Sequence, residues 1–423
     1  MRRHRQRHRM VEPELLARFE PMARLRPDER IVLASRAGIL RLQAGRHLFH
    51  PDRENVWAYF LLAGRLRLTS SAGESFLVES GDAHSRLALS SRTYQQYKAV
   101  TLTAVEVVRI EARLVEGISG SAAMATPPRQ DVCCDDRFPE WIKGLFEDVR
   151  DSIDDDQLTL PVPPAFGDQI AELVANEHLS EARLVEVICS DPGICAKLLR
   201  VANGALFHEQ RPILDCETAV RRLGRRATRH LVMNYAFRDR LRNPDEGIRQ
   251  RLNEYWLTST SVAAISVVLA SRIPSLPAPR CRIAGLLHDI GTLALLAFAH
   301  QFPGALLDPG AVSEAMDALS RPLGAYLVRA WGLGDDLLPV LDADDDWFRS
   351  HQGETDLADL ILVARAHSRI DPKRGTAGPP DPGAMPAFER LGLNAEGADE
   401  GLSIVVQAQE FLEAAQGFLQ GPS

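Results

Sequence analysis

His288 and Asp289 stand side by side in the apolar run Ala284-Gly285-Leu286-Leu287-His288-Asp289-Ile290-Gly291. A neutral imidazole beside a carboxylate suits a hard or borderline divalent cation, which polarises phosphate and activates water. Two ligands do not complete such a site, because a catalytic metal needs roughly three protein ligands and an open position. The remaining ligands have to come from neighbouring elements. Without them, a buried imidazole and carboxylate act as a structural pair that satisfies its own hydrogen bonds.

Two other charged sets offer chemistry. Arg221, Arg222, Arg225, Arg226, Arg229 and His230 form a basic run across Gly224. On helices such residues make either a solvated face or a contact for phosphate or an acidic partner, since guanidiniums donate in bidentate pairs. Arg221, Arg222, Arg225 and Arg229 are the candidates for that partner surface. The acidic group Asp342, Asp344, Asp345 and Asp346 lacks the glycine and terminal glutamate of a calcium-binding loop. It reads as a solvated acidic loop.

The elements that position these residues change character along the chain. Residues 1–11 are a basic tail, Met1-Arg2-Arg3-His4-Arg5-Gln6-Arg7-His8-Arg9, with no apolar stretch behind them that would make a secretory signal. Residues 12–116 read as a short helical lead-in followed by glycine-punctuated strands. The strand segments are Gly45–Phe49, Trp57–Leu62, Arg65–Leu68, Ser75–Val78 and Ala99–Ile110, spaced as in a barrel or jelly roll. Residues 117–140, with Pro127-Pro128 and Asp135-Asp136, read as a linker.

Residues 141–423 are helical in pattern. Asp191-Pro192 starts one helix, with Asp as N-cap and Pro in the first turn. Asp215 starts another, which Gly224 ends. Trp256 to Ile273 is a long helix. Arg282 to Ala299 is apolar nearly all round and predicts a central buried helix. A final helix is expected over Leu402 to Leu419.

With 423 residues the chain is long for one core. Its 45% hydrophobic and 25% charged residues are ordinary for a globular protein. A net charge of -8 argues against a general nucleic-acid surface, and no apolar run is long enough for a membrane span. Cys133, Cys134, Cys189, Cys195, Cys216 and Cys281 contain no Cys-x-x-Cys pair, which suits buried thiols in a reducing compartment and a cytoplasmic protein.

The helical part resembles the HDOD family, the HD-related output domain of bacterial signalling proteins, over about Leu158 to Ile370. The resemblance rests on Leu160-Pro161-Val162-Pro163-Pro164, Ile188-Cys189-Ser190-Asp191-Pro192, Lys197-Leu198-Leu199-Arg200-Val201-Ala202-Asn203, Ala219-Val220-Arg221-Arg222-Leu223-Gly224 and the His288-Asp289 block. It implies an all-α domain that works in signal output without established hydrolase chemistry. Where active HD enzymes carry a further histidine, this chain has Thr258. Where they carry a distal aspartate, it has Arg365, a cation beside any metal. The resemblance therefore implies a degenerate site of His288, Asp289, Thr258 and Arg365, with no metal or other cofactor and no catalysis. The alternative is a metal-dependent phosphodiesterase acting on a cyclic dinucleotide.

The β region resembles a cyclic-nucleotide-binding domain through Leu42–Phe49, Tyr59–Leu66 and Gly81-Asp82. In such domains a Phe-Gly-Glu cassette and a downstream Arg hold the cyclic phosphate. Here the cassette reads His84-Ser85-Arg86, and Gln95 or Gln96 stands near the arginine position. Ordinary cyclic AMP binding is not expected, and Arg86, Arg92 and Lys98 are candidates for holding another anion, cyclic di-GMP included. The expected whole is a degenerate sensor-like jelly roll joined to an HDOD output domain, acting through signalling proteins or a nucleotide ligand. A ligand at a hundredfold its dissociation constant stabilises the native state by about 2.7 kcal/mol. Thermal melts with cyclic AMP or cyclic GMP should therefore superimpose on the ligand-free melt, and a saturable upward shift would contradict the cassette reading.

Overall fold

A computed structural model describes residues 11–50, 56–90, 97–121, 137–176, 178–207, 211–239, 244–302, 309–343, 346–368, 384–393 and 406–407. The basic tail apart from Val11, the position of Arg92, the Cys133-Cys134 pair and the final helix apart from 406–407 lie outside the described residues. The chain divides into two compact units, residues 1–128 with 204–210 and residues 129–203 with 211–423.

The first unit contains α1 (Pro13–Leu16), α2 (Pro27–Arg36), β1 (Gly38–Leu42), β2 (His47–Phe49), β3 (Trp57–Ala63), β4 (Arg65–Ser70), β5 (Ser75–Glu79), β6 (Tyr97–Thr101), β7 (Val105–Glu111) and α3 (Ala112–Ser121). Its strands form two antiparallel sheets in the orders β1-β7-β3 and β2-β6-β4-β5. Strand alternation builds the core between them. On β4, Leu66 and Leu68 point inward while Arg65 and Arg67 face solvent. They share one apolar cluster with Tyr59, Leu61, Val105 and Val107 of the other sheet, so the unit is the β roll expected from the strand spacing.

Two sequence expectations need correction here. The apolar segment Ala99–Ile110 is not one strand but β6 and β7, in different sheets. Residues 117–121, read as the start of a linker, continue α3 because Leu114, Val115 and Ile118 bury an apolar face at helical spacing. Residues 204–207 pack within this unit. The Glu29 carboxylate accepts from the N–H of Ala205 at 3.1 Å and of Arg26 at 3.1 Å, and the Arg36 guanidinium lies over the Phe207 ring.

The second unit is helical: α4 (Glu140–Asp154), α5 (Pro164–Ala175), α6 (Glu181–Ile188), α7 (Pro192–Ala202), α8 (Cys216–Leu223), α9 (Arg225–Arg238), α10 (Glu246–Ala270), α11 (Ala278–Leu287), α12 (Ile290–Gln301), α13 (Pro309–Ala330), α14 (Leu338–Asp342), α15 (Leu357–Ser368) and α16 (Pro386–Arg390). The helix starts follow side-chain chemistry. Asp191 accepts from the N–H of Ile194 at 2.7 Å, and Asp215 accepts from the N–H of Thr218 at 2.8 Å. Gly224 stands between α8 and α9 with φ of 84°, a conformation that only glycine adopts without strain.

The buried helix expected over Arg282–Ala299 is broken. α11 and α12 meet at a 41° bend, and the break falls on His288 and Asp289. The reason lies in two glycines. A Cβ at Gly285 would stand 2.5 Å from the Ala263 Cα of α10, and one at Gly291 would overlap the Ser320 carbonyl of α13. The bend aims each half at its own neighbour, and the doublet occupies the turn between them. Among the described residues no single helix is long and apolar enough to cross a membrane. The bent pair passes by length and apolarity alone, and nearly all of its residues are buried within the helical unit.

Overpacking a tight interior contact costs about 1–3 kcal/mol. Gly285→Ala and Gly291→Ala should each lower the unfolding free energy of the full chain, read from urea melts, by that amount. Unchanged unfolding free energies would mean that these helices do not approach so closely.

Candidate functional site

The chemistry of the helical unit gathers where α7, α10 and the α11–α12 break supply polar groups to an apolar interior. His288 closes α11 and is buried, and its Nδ1–H donates to the Gly285 carbonyl at 2.8 Å. One ring nitrogen is thus engaged by the main chain of the preceding turn. Asp289 is half-buried at the bend. From α10, Tyr255 and Ser259 are buried, and the Ser259 hydroxyl interacts with the Tyr255 phenol. Burial and the carboxylates of Asp289 and Asp191 hold the Tyr255 phenol well above its ordinary pKa.

Asp191 is more than a helix cap. It is buried to 1% exposure, and desolvation lifts its pKa to about 6. The Ile194 and Gly193 amides, the Lys197 charge and the Trp256 indole oppose that rise. Lys197, six residues further along, donates to Asp239 at 2.7 Å and to the Leu160 carbonyl at 3.0 Å, with its ammonium over the Tyr235 ring. Asp239 has no exposed side-chain surface and also receives Arg238. A buried ion pair of this kind is costly to break, on the order of 3–5 kcal/mol.

The remaining predicted residues fall in several places. Thr258 is half-buried on α10, one turn from Tyr255, and it is Tyr255 that senses the Asp289 charge. Arg365 is buried on α15 with its guanidinium over the Trp347 ring. Arg86 is exposed on a short 3-10 turn and Lys98 is exposed on β6; no described hydrogen bond or ion pair joins them. Two of the four surface arginines serve the fold. Arg222 donates to the Ala202 carbonyl at the end of α7, and Arg229 donates to the Val174 and Ala175 carbonyls at the end of α5. Those are the open carbonyls that cations near helix C-termini satisfy. Arg221 and Arg225 remain exposed.

Sequence reasoning missed two clusters. Cys189, Cys195 and Cys216 are buried near one another, with Cys195 and Cys216 sulfurs 3.5 Å apart. Hydrogen bonding to Cys216 and burial raise the Cys189 thiol well above its usual range. His351, Asp356 and Asp359 bring three ligand-type atoms together, but Arg349 donates to both carboxylates and Arg390 donates to Asp359. Its charge is already balanced by guanidiniums, so it reads as an ion-pair network holding α15 to the loops around it. Among the described residues no third His, Cys, Asp or Glu ligand atom joins His288 and Asp289 in such a group.

Residues 160–346 match the model of the HDOD domain. This stretch of the chain is an HDOD domain. A protein of Treponema pallidum (strain Nichols) named only as uncharacterized is 25% identical over 209 residues, 47% of this chain and 39% of that protein. The chain thus spans about two fifths of that relative's length. Among solved structures, the MmoQ response regulator from Methylococcus capsulatus str. Bath is 22% identical with a TM-score of 0.47, covering 58% of this chain and 98% of that one. The sensor domain of the transcriptional regulator DNR from Pseudomonas aeruginosa is 12% identical with a TM-score of 0.23, covering 28% and 94%. The HDOD match contains Asp191, Lys197, Tyr255 and the His288-Asp289 break.

Because the folded state holds the Asp191 proton more tightly than the unfolded chain, its contribution to stability is full below about pH 4 and lost as pH rises through about 6. Asp191→Asn keeps an oxygen to accept from Ile194 while removing the titration. Urea melts should show the variant at least as stable as wild type near neutral pH. Its stability change between about pH 4 and 6 should be smaller by on the order of 3 kcal/mol. A large loss near neutrality would show instead that the charge drawn to Lys197 is the favoured state.

Proposed function

We propose that this chain is a non-catalytic cytoplasmic signal-transduction protein, in which a sensor-like β unit receives a ligand or partner and the HDOD domain passes the state onward. The observation that carries the reading is the doublet itself. His288 is turned to a main-chain carbonyl at a helix break, and the α10 residue that feels the Asp289 charge is a tyrosine. A phenol held above its ordinary pKa is a poor ligand for a divalent ion at neutral pH. Arg365 is a buried cation on α15 at the position where the resemblance to HD enzymes implies an aspartate.

Signalling proteins are the proposed partners. Arg221 and Arg225 supply exposed guanidiniums for an acidic partner surface, whereas Arg222 and Arg229 hold helix ends. A cyclic dinucleotide is the alternative ligand, and its electrostatic demand would fall on that same exposed face rather than on the doublet.

Metal analysis of the purified protein should return less than one equivalent of any transition metal. Incubation with cyclic dinucleotides and added manganese, magnesium or iron should leave the substrates intact. Metal-dependent turnover that vanishes in a folded Asp289→Ala variant would replace this reading with phosphodiester hydrolysis.

A further inference from the structure

Three thiols meet inside the helical unit. The Cys195 sulfur of α7 and the Cys216 sulfur at the first residue of α8 lie 3.5 Å apart. Cys189, which closes α6, is hydrogen-bonded to Cys216. All three are buried. Cys195 and Cys216 therefore already have the proximity that a disulfide needs, and their sulfurs have only to close to about 2.05 Å.

The surroundings supply positive charge. The Arg282 guanidinium, held by Glu186 through two hydrogen bonds of 3.0 Å, acts on all three thiols and opposes the rise that burial imposes on them. Cys216 also stands in the first turn of α8, where the positive end of a helix favours a thiolate. Burial restricts access, so the oxidant that fits is small and uncharged.

The place of the pair in the chain gives it a consequence. Cys195 and Cys216 are 21 positions apart, and the chain between them runs out through residues 204–210, which belong to the first unit. There the Ala205 N–H donates to Glu29, and the Phe207 ring lies under Arg36. A covalent bond between Cys195 and Cys216 would tie the two stems of that excursion together.

We propose that Cys195 and Cys216 form a reversible disulfide, with hydrogen peroxide, the smallest hydroperoxide, as the oxidant. One thiolate attacks the peroxide: a sulfur–oxygen bond forms, the oxygen–oxygen bond breaks, and the leaving hydroxide takes the thiol proton to become water. The second sulfur attacks the resulting sulfenic acid, forming the sulfur–sulfur bond and breaking the sulfur–oxygen bond. The second oxygen leaves as water with the remaining thiol proton. Two sulfurs are oxidised, one peroxide is reduced, and two waters are released. The site is read from the sulfurs and the chain path, independently of the signalling role.

The test treats reduced full-length protein with hydrogen peroxide under native conditions, alkylates the remaining thiols in denaturant, and digests without reductant. Fragment spectra should show Cys195 joined to Cys216, and dithiothreitol should abolish the linkage. Cys189→Ala should retain the cross-link, whereas Cys195→Ala and Cys216→Ala should lose it. In urea the same treatment of wild type should scatter the pairing over other cysteines, because the native proximity is gone. Three results for the wild type would overturn the proposal, whether or not the variants fold. These are full alkylation of Cys195 and Cys216 after peroxide, a linkage of Cys216 to Cys189 in their place, or a Cys195–Cys216 linkage no more abundant in the native protein than in urea.

Discussion

The helical unit is organised around two points where backbone meets backbone. Gly285 admits α10 to within contact of α11, and Gly291 admits α13 to α12. Each contact requires a residue without a Cβ, and together they set the direction of two consecutive helices whose side chains are almost all buried. The bend between them is where His288 and Asp289 fall. The doublet's environment is therefore a consequence of packing that begins three residues before it and continues two residues after it.

From that bend the polar interior follows. Tyr255 comes from the same long helix that receives Gly285, so the close approach of α10 also brings a phenol within the influence of Asp289. Asp191 and Lys197 come from α7, whose side chains are buried throughout. A helix that buries its charged residues must bring partners, and Asp239, the Leu160 carbonyl and the first amides of α7 are those partners. Asp191 is stripped of solvent there, and burial lifts its pKa to about 6 although the Ile194 and Gly193 amides, Lys197 and Trp256 oppose the rise.

Helix limits marked by chemistry were legible in the chain. Asp191-Pro192 and Asp215 announced helix starts, and Gly224 announced a stop, because caps act through one side chain on its own neighbours. The alternation on β4 was legible for the same reason: Leu66 and Leu68 repeat at the strand period. The break in Arg282–Ala299 was hidden because its cause lies outside the segment. A stretch apolar on every side has no periodicity to interrupt, and the contacts of Gly285 and Gly291 are with residues of other helices. Leu114, Val115 and Ile118 were hidden for a different reason, since the glycines and serines beside them look like a loop.

By itself the sequence determined the two-part organisation, the HDOD character of the helical part through its local motifs, and the residue types at the doublet. Those are properties of composition and short spacing. Only the tertiary structure decided what the residues do. It turned His288 to the Gly285 carbonyl, brought Tyr255 rather than Thr258 under the influence of Asp289, and spent Arg222 and Arg229 on helix ends. It also buried Asp191 beside Trp256. Each of these depends on which groups, distant in the chain, are left facing one another once apolar faces have been matched, and side-chain chemistry alone does not encode that distance.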